Sequence, residues 1–302
     1  MVPCLEAETD LQKDFWMTRV LVILVTYNGM RWLERCLSSV REYDLYVWDN
    51  DSSDGSADFV ASSRPGAKLV RSAENLGFAK ANNMGMKWAM DHGYSYVYLL
   101  NQDAWLEEGA MDKLLAAADD NPSYALLSPL QMADGYSSLD PLFGKCLGSA
   151  AVPSEAEIIP VKRVMAAHWL VRVEALRRIG DFNASLFPLY GQDDDWCNRA
   201  IYHACGIGVL PGARAVHDRA RRKESKEKII GRNYFTGSLV RLADVNRPLW
   251  ERFLFVCLFT LVKALKYRSL LPFKHFASIC GKLGELKEYR TLAKNMYICE
   301  IL

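Results

Sequence analysis

The chain has 302 residues, half of them hydrophobic, which is enough for one large domain with an appended region and argues against a disordered protein. A net charge of +1 excludes a protein that holds nucleic acid through bulk positive charge. From Gly212 onward, however, 19 Lys and Arg stand against 8 Asp and Glu. This basic C-terminal part indicates either a solvated helical face or contact with an anionic membrane leaflet.

The cysteine pattern and the N-terminus predict a cytoplasmic protein. None of the eight cysteines shows CxxC spacing and most lie in apolar surroundings, which is typical of buried thiols in a reducing compartment. Acidic residues precede the first apolar run, so no signal peptide is expected. The longest uncharged apolar run, 253–262, is shorter than the about 20 residues that a membrane span needs.

Strands and helices alternate in the first part of the chain. Short runs rich in β-branched and aromatic residues predict the strands, and apolar residues three to four apart predict the helices between them. This alternation is typical of a parallel sheet with helices on both faces. The predicted strands are 19–26, 45–48, 67–71 and 94–100, and the predicted helices are 30–41, a short helix after Gly55, 77–92 and 107–120.

The second part is patterned less regularly. Residues 131–160 are rich in turn formers and predict loops near the site. A strand and then a helix are predicted over 164–180, a helix over 192–205 and a strand over 207–210. Helices broken at Pro248 and Pro272 are predicted for the C-terminal part.

Polar clusters follow the ends of three predicted strands, at 26–28, 49–56 and 101–103. In a parallel sheet, ligands bind beyond the carboxyl ends of the strands, so we expect the clusters to line one crevice. Asp49 is placed to accept from a ribose hydroxyl or a base N–H, and Asp103 to hold Mg²⁺ or Mn²⁺ through oxygen. Each cluster is also what an ordinary helix-capping turn or polar strand end contains.

A glycine-containing turn precedes the helix predicted over 77–92. Gly77 allows the backbone to approach a ligand closely, and a helix N-terminus favours an anion such as a diphosphate. Asn82 and Asn83 lie early in this helix, where they could face the same ligand. The alternative is a plain turn before a helix.

Three consecutive acids, Asp193, Asp194 and Asp195, begin the helix predicted over 192–205. Adjacent carboxylates repel, which raises the pKa of one of them and suits it to act as a general base. The alternative is favourable charge at a helix N-terminus, with an ordinary pair between Asp195 and Arg199 four residues on.

In order from Arg19 to His217, these motifs resemble those of the family-2 glycosyltransferases, most closely the rhamnosyltransferase-like bacterial enzymes of surface-polysaccharide synthesis. The resemblance implies an α/β protein with the GT-A (nucleotide-diphospho-sugar transferase) fold: a mostly parallel central sheet with helices on both faces, plus a helical C-terminal extension. The implied divisions are a lead-in over 1–18, a catalytic domain over 19–220 with a nucleotide-binding half over 19–130 and an acceptor half over 131–220, and a helical basic region over 221–302.

Two motifs resemble those with which the family binds the nucleotide sugar. In the motif Asp-Asn-x-Ser-x-Asp-Gly-Ser the first Asp binds the base or the ribose, and the turn after the first strand also holds the nucleotide. The second motif is Asn-x-Gly-Phe-x-x-Asn-Asn. The residues that the resemblance assigns to the nucleotide sugar are Thr26, Tyr27, Asn28, Asp49, Asn50, Ser52, Asn75, Gly77, Asn82, Asn83 and Gln102.

The family's metal motif, Asp-x-Asp, reads Asn101-Gln102-Asp103 in this chain, so only Asp103 is ionised. A histidine after the last strand is a metal ligand in relatives, which makes His217 the second predicted ligand of a divalent metal cofactor, Mg²⁺ or Mn²⁺. A lone histidine is otherwise more typical of a structural residue. One carboxylate implies weak metal affinity and leaves metal independence open.

The family's base motif, Glu-Asp-x-Asp-Leu, reads Gln192-Asp193-Asp194-Asp195-Trp196, so Asp193 matches the catalytic base. The resemblance implies a single displacement in which Asp193 takes the proton of an acceptor hydroxyl, which attacks the anomeric carbon with inversion. Asp194, Arg221 and Arg222 are the residues expected to contact the diphosphate or the acceptor.

The resemblance predicts an inverting transfer from a nucleoside diphosphate sugar, dTDP-rhamnose or a UDP-sugar, to a glycan acceptor in bacterial polysaccharide or O-antigen synthesis. Relatives often act on lipid-linked acceptors. Two alternatives remain: a catalytically inactive nucleotide-sugar-binding module, indicated by Asn101 and Gln192, and a sugar nucleotidyltransferase. The latter needs a glycine-rich basic loop after the first strand, which the turn over 26–29 is not.

Residues 249–266 are apolar almost all round, with Lys263, Lys266 and Arg268 at or just beyond their end. Such a segment predicts burial against the catalytic domain or against a second subunit of a homodimer. The other interpretation is peripheral contact with the inner face of the cytoplasmic membrane.

Overall fold

The computed structural model describes residues 19–133, 138–148, 157–218 and 231–295. The predicted lead-in over 1–18 and the predicted contacts Arg221 and Arg222 lie outside the described residues.

One nine-stranded sheet forms the centre of the molecule, in the order β3-β2-β1-β4-β8-β6-β9-β5, with β7 paired to β9. Strands β1 to β4 are parallel to one another, as predicted, whereas β8 runs antiparallel to both β4 and β6. The sheet is therefore mixed beyond β4. The strands are β1 (Val20–Thr26), β2 (Asp44–Asp49), β3 (Lys68–Arg71), β4 (Tyr96–Asn101), β5 (Ala104–Leu106), β6 (Tyr124–Met132), β7 (Ile159–Pro160), β8 (His168–Arg172) and β9 (Gly206–His217).

Helices cover both faces of the sheet, because alternate residues of each buried strand point to opposite sides. In β1, Leu21 and Ile23 join one hydrophobic cluster with α3, α6 and α7, whereas Val22 and Leu24 join another with α1, α2 and α4. The helices of this part are α1 (Met30–Ser38), α2 (Ser56–Ser63), α3 (Gly77–Asp91), α4 (Ala110–Asp120), α5 (Gly144–Leu147), α6 (Val173–Ile179) and α7 (Gln192–Tyr202).

The strand order brings the predicted polar clusters to one edge. β1 lies between β2 and β4, so the order in which strands are added to the sheet reverses at β1, and this leaves a crevice at the carboxyl ends. In the pairing, Thr26 stands opposite Asp49, and Val25 opposite Asn101. The ends of the three strands are thus neighbours.

The last strand is longer than the predicted 207–210, since β9 continues to His217. Pro129 of β6 pairs with Leu210 and the next residue, Leu130, pairs with Arg214, so residues 211–213 of β9 form a bulge that accommodates the proline, and the pairing resumes beyond it. The extension places His217 opposite Ala104 in the short strand β5.

Four C-terminal helices pack around a third hydrophobic cluster, which also includes Leu186 and Phe187 from the segment before α7. Pro248 caps one of these helices and Pro272 lies in the first turn of the next, as predicted. Among the described residues, none of the helices combines the length and the apolar character that crossing a bilayer requires. The helices are α8 (Gly237–Ala243), α9 (Leu249–Tyr267), α10 (Leu271–Gly281) and α11 (Leu283–Lys294).

Candidate active site

The turn after β1 is tied to the end of β4 by Gln102. Its Oε1 accepts from Thr26 Oγ1 and from the Tyr27 backbone N–H, both at 2.8 Å, and its Nε2 donates to the Tyr27 carbonyl at 3.2 Å. A Cβ at Gly29 would stand 2.3 Å from Gln102 Oε1, so only glycine fits beside this amide. The arrangement leaves Tyr27 49% exposed at the rim of the crevice.

The turn after β2 packs against the same segment. Ser52 Oγ accepts from the backbone N–H of Asn28 at 3.0 Å, and Asn28 Oδ1 accepts from the Ser53 N–H at 2.9 Å. Asn28 takes a left-handed conformation with φ 49°, which asparagine tolerates better than most residues. The polar side chains of both turns therefore hold each other in place.

Asp49 is the best candidate for binding a nucleoside. Its Oδ2 accepts from the Ser52 backbone N–H at 3.0 Å, whereas its buried Oδ1 has no hydrogen-bond partner among the described residues. Buried polar atoms in native proteins are almost always paired, so an unpaired carboxylate oxygen indicates a missing donor group. A ribose hydroxyl or a base N–H would supply it.

Asn50 connects β2 to the start of α3. Its Oδ1 accepts from the Leu76 N–H at 3.0 Å, and its Nδ2 donates to the Gly77 carbonyl at 3.4 Å. Gly77 has φ 78°, and a Cβ there would lie 3.0 Å from the Pro188 carbonyl oxygen. Asn75 Oδ1 accepts from the Gly77 N–H at 2.9 Å, which closes the turn before the helix.

Asn82 and Asn83, two of the residues predicted to contact the nucleotide sugar, form hydrogen bonds within the protein. Asn83 donates to the Phe182 carbonyl at 2.7 Å and accepts from the Phe182 N–H at 3.0 Å, so its buried amide joins α3 to the segment that precedes α7. Asn82 donates to the Phe78 carbonyl at 2.9 Å. A direct contact of either side chain with the nucleotide sugar stays a prediction.

Asp103 and His217 meet where β5 pairs with β9. His217 Nε2 lies 3.5 Å from Asp103 Oδ1, and the Asp103 side chain keeps 25% of its surface exposed. The neighbouring Asp218 donates its backbone N–H to the Asp103 carbonyl at 2.8 Å, and its own carboxylate accepts from Trp32 Nε1 at 2.8 Å. The two predicted metal ligands are thus adjacent although 114 positions separate them.

This pair fits a divalent metal that is shared with a substrate. Mg²⁺ commonly binds one or two carboxylates and takes its other ligands from phosphates and water. Its neighbouring ligands lie about 3 Å apart, so Asp103 and His217 need only a small adjustment to share one ion. In the described part of the chain, no group of three or more His, Cys, Asp or Glu could enclose a metal without a substrate.

The three acids of α7 face three different surroundings. Asp193 lines a cavity of about 400 Å³, Asp194 pairs with the exposed Arg163 at 3.2 Å, and Asp195 is 1% exposed. Asp195 Oδ2 accepts from Arg199 Nε at 3.1 Å, so the pair four residues apart is formed as predicted. Both oxygens of Asp195 also accept from the Tyr289 hydroxyl.

Burial, together with the negative charge of Asp194, raises the pKa of Asp193 to about 6. Hydrogen bonds from the backbones of Asp194 and Ala166 oppose this shift without cancelling it. A carboxylate with this pKa is ionised at neutral pH yet basic enough to accept a proton, which is what a general base requires.

Residues 166 and 167 connect Asp193 to the strand end that precedes Asp103. Ala166 hydrogen-bonds to Asp193, and the neighbouring Ala167 carbonyl accepts from the Asn101 N–H at 3.1 Å, two residues before Asp103. The start of α3 also contacts the segment before α7, where Ala79 donates to the Pro188 carbonyl at 3.4 Å. Backbone hydrogen bonds therefore join the surroundings of Asp193 to the end of β4 and to the start of α3.

Sequence reasoning missed Arg163, Arg241 and Tyr289. Arg163 and Arg241 line the Asp193 cavity together with Tyr190 and Thr236. Tyr289 lies 94 positions beyond the aspartate that it contacts, and no local pattern marks such a pair.

Residues 21–138 match the family model described as glycosyl transferase family 2. The N-acetylglucosaminyl-diphospho-decaprenol L-rhamnosyltransferase of Mycobacterium tuberculosis is 28% identical over 278 residues, covering 78% of this chain and 88% of the relative. The dTDP-rhamnosyl transferase RfbF of Shigella flexneri is 23% identical, covering 66% of this chain and 69% of the relative.

Solved structures share the fold. Residues 1–349 of S. aureus TarS superpose with a TM-score of 0.55 at 17% identity, covering 79% of this chain and 69% of that one. GalNAc-T7, solved with UDP, GalNAc and Mn²⁺, gives a TM-score of 0.55 at 12% identity, covering 77% of this chain and 52% of that one. The predicted fold class is confirmed as a GT-A-like α/β fold, and the matched domain together with the sequence relatives identifies a glycosyltransferase that resembles the family-2 rhamnosyltransferases.

Proposed function

We propose that this glycosyltransferase inverts the anomeric configuration and uses Asp193 as its general base. The observation that carries the proposal is the carboxylate of Asp193, whose pKa is raised to about 6 by burial and by Asp194, in a cavity linked by backbone hydrogen bonds to the strand ends that line the crevice. At pH 7 such a group is about nine-tenths ionised, and a well-placed base contributes typically ~10²–10⁴-fold to the rate.

In the proposed reaction, Asp193 accepts the proton of an acceptor hydroxyl as that oxygen attacks the anomeric carbon. The unpaired oxygen of Asp49 accepts from the nucleoside, and the exposed Tyr27 ring lies at the rim where a base could stack. Asp103 and His217 would hold a divalent metal, which would offset the charge growing on the leaving diphosphate.

The donor is proposed to be dTDP-rhamnose and the acceptor a lipid-linked glycan, because both relatives are named as rhamnosyltransferases and one is named for a diphospho-decaprenol acceptor. A UDP-sugar is the other donor to test, since TarS was solved with UDP-GlcNAc. A thermal-shift screen of nucleotide sugars with Mn²⁺ should find one donor that raises Tm, because ligands that bind only the folded state stabilise it. A protein that binds this donor but neither hydrolyses nor transfers its sugar would be the inactive binding module instead.

Metal removal is expected to suppress the reaction. With Asp103 and His217 as its protein ligands among the described residues, the ion should be held loosely, so EDTA should abolish transfer and Mn²⁺ or Mg²⁺ should restore it. Donor-induced Tm shifts should weaken in parallel. Asp103→Asn should require a higher metal concentration for half-maximal rate. Full activity in EDTA, with Asp103→Asn indistinguishable from wild type, would remove the metal from the proposal.

The C-terminal helices carry an exposed apolar face. Only Val256 and Thr260 of α9 are buried, whereas large side chains at intervals of three to four residues are open to solvent, and they continue into α10. Exposed apolar patches of this extent mark interaction sites. The apolar face consists of Trp250 (72% exposed), Leu254, Leu258, Leu261, Leu265 (79%), Leu270 (74%) and Phe273.

The charge around the apolar face favours an anionic membrane surface as its partner. Between Arg252 and Gly284 the chain contains six Lys and Arg and no Asp or Glu. A second copy of the chain would bring these cations against each other, whereas anionic lipids attract them by about 1 kcal/mol per basic residue. We therefore propose peripheral contact with the cytoplasmic face of the membrane, where a lipid-linked acceptor would reside.

The protein is expected to co-sediment with vesicles that contain anionic lipid and to do so less with zwitterionic ones. Leu258→Glu/Leu265→Glu should abolish this binding, because it places charges in the inserting face. Thr291→Glu/Asn295→Glu adds the same charge on α11 and should bind nearly as wild type. Truncation before α9 is unsuitable, since it removes Tyr289. Membrane contact would be contradicted if the wild-type protein bound no vesicles and instead formed dimers that the Leu258→Glu/Leu265→Glu variant no longer forms.

A further inference from the structure

A second cavity of about 560 Å³ adjoins the Asp193 cavity. Both are lined by Arg163, Asp194, Val240 and Arg241, so the two spaces meet between α7 and α8. The second cavity opens toward the residues that precede α9. We call it the basic cleft, and its charged lining residues are Lys162, Arg163, Asp194, Arg241, Asp244, Arg247 and Arg252.

The basic cleft has more cations than the protein neutralises. Its five basic side chains face two carboxylates, of which one pairs with Arg163 at 3.2 Å and the other with Arg252 at 2.5 Å. Lys162 and Arg247, both exposed, have no carboxylate partner in the described ranges. An excess of positive charge therefore lines a concave surface next to the catalytic base.

Contacts within the protein hold Arg241 and Arg252 in place and leave some of their N–H groups without a partner among the described residues. Arg241 donates to the Gly237 carbonyl at 2.7 Å and stacks over Phe255 and Phe259, while burial and then the charge of Arg252 lower its pKa. The buried Nε of Arg252 has no hydrogen-bond partner among the described residues. An anion in the cleft would offset the charge of the crowded guanidinium groups and accept a hydrogen bond from the unpaired N–H.

We propose that the basic cleft binds the phosphate groups of an anionic acceptor, a glycan joined through diphosphate to a lipid, and thereby presents the acceptor sugar to Asp193. The inference rests on the proposed transfer reaction and adds to it the surface of this chain that holds the acceptor's phosphates. Arginine forks suit phosphate oxygens, and lysine adds a compact charge. The position agrees, because Arg247 lies three residues before Trp250, the first residue of the apolar face. With the apolar face in the membrane as proposed, Arg247 is next to the membrane surface, where the diphosphate of a lipid-linked acceptor lies.

Two acceptors with the same sugar test the proposal, one a short-chain lipid diphosphate and the other a neutral alkyl glycoside. In Lys162→Gln/Arg247→Gln the ratio of kcat/KM for the diphosphate acceptor to that for the neutral one should fall about tenfold, which is about 1.4 kcal/mol. Lys87→Gln/Arg178→Gln removes two exposed cations from α3 and α6, which line neither the cleft nor the cavities beside it, and should keep the wild-type ratio. Inorganic pyrophosphate, at constant free Mn²⁺, should compete with the diphosphate acceptor and do so more weakly in the cleft variant.

An unchanged ratio in the cleft variant would overturn the proposal, as would an equal fall in the control variant, which would indicate long-range charge alone. Competition of pyrophosphate solely with the donor would also overturn it. If the cleft variant loses anionic vesicle binding and keeps its acceptor ratio, the ligand is a phospholipid headgroup and the proposal is wrong. Wild-type protein that transfers to neither acceptor would contradict the proposed function itself, whereas transfer to both with equal efficiency contradicts only the cleft assignment.

Discussion

Asp193→Asn is expected to lower kcat for sugar transfer by about 10²–10⁴-fold, because the amide keeps the shape of the side chain but accepts no proton. The affinity for the nucleotide sugar should stay nearly unchanged, since the crevice residues Asp49 and Tyr27 belong to other elements. Steady-state rates and donor-induced Tm shifts measure the two quantities separately. Normal turnover in Asp193→Asn would refute the assignment of the base.

The pH dependence of kcat/KM is a second test of Asp193 as the general base. Because burial and Asp194 raise the pKa of Asp193 to about 6, its basic form predominates above pH 6 and is lost below it. The value of kcat/KM should therefore fall about tenfold per pH unit below pH 6. In Asp194→Asn the neighbouring charge is gone, so the inflection should move to lower pH while turnover at pH 7.5 remains. Any residual activity of Asp193→Asn should lack the inflection.

Asp195→Ala is expected to lower the free energy of unfolding by about 3–5 kcal/mol, although this residue is two positions from the base. It leaves the guanidinium of Arg199, which is 1% exposed, without its carboxylate in the interior. It also removes the acceptor of the Tyr289 hydroxyl and thus the contact between α7 and α11. Urea unfolding followed by circular dichroism measures the loss.

Two matched variants separate this effect from a general consequence of changing acids in α7. Tyr289→Phe removes only a hydrogen bond to a charged group and should cost about 1.5–3 kcal/mol. Asp194→Asn breaks a pair whose carboxylate is 38% exposed and should change stability by less than about 1 kcal/mol. Equal stability losses for Asp194→Asn and Asp195→Ala would contradict the distinct roles assigned to them.

The sequence predicts the first half of the sheet, from β1 to β4, well, because its signals are local. The buried runs of β1, β2 and β4 are nearly continuous in apolar residues, and each ends at a polar turn that the parallel topology brings to one edge. The second half is harder to predict. Strand β5 has three residues, too few for a periodic pattern, and β9 passes a proline through a bulge.

The candidate site divides in the same way. Asp103, Asp193 and His217 were found by motif, and the structure places the first and third in contact. The acids next to Asp193 have partners far away in the sequence, which no local pattern reveals. Tyr289 donates to Asp195, and Arg163 pairs with Asp194. Conversely, Gln102 and Asn83 belong to family motifs, yet their amides hydrogen-bond to the protein. Motif membership identifies where the site is, whereas the partner of each polar atom decides what that residue does.

The most direct test of single displacement with Asp193 as the base is the anomeric configuration of the transferred sugar. Purified wild-type protein is given the diphosphate-linked acceptor together with dTDP-rhamnose or with the UDP-sugar that binds. Proton NMR of the product formed in the first minutes, with Mn²⁺ present, reads this configuration directly. We expect inversion relative to the donor, and only a trace of the same product from Asp193→Asn. Retention of configuration, or an undiminished yield from Asp193→Asn, would contradict single displacement with Asp193 as the base.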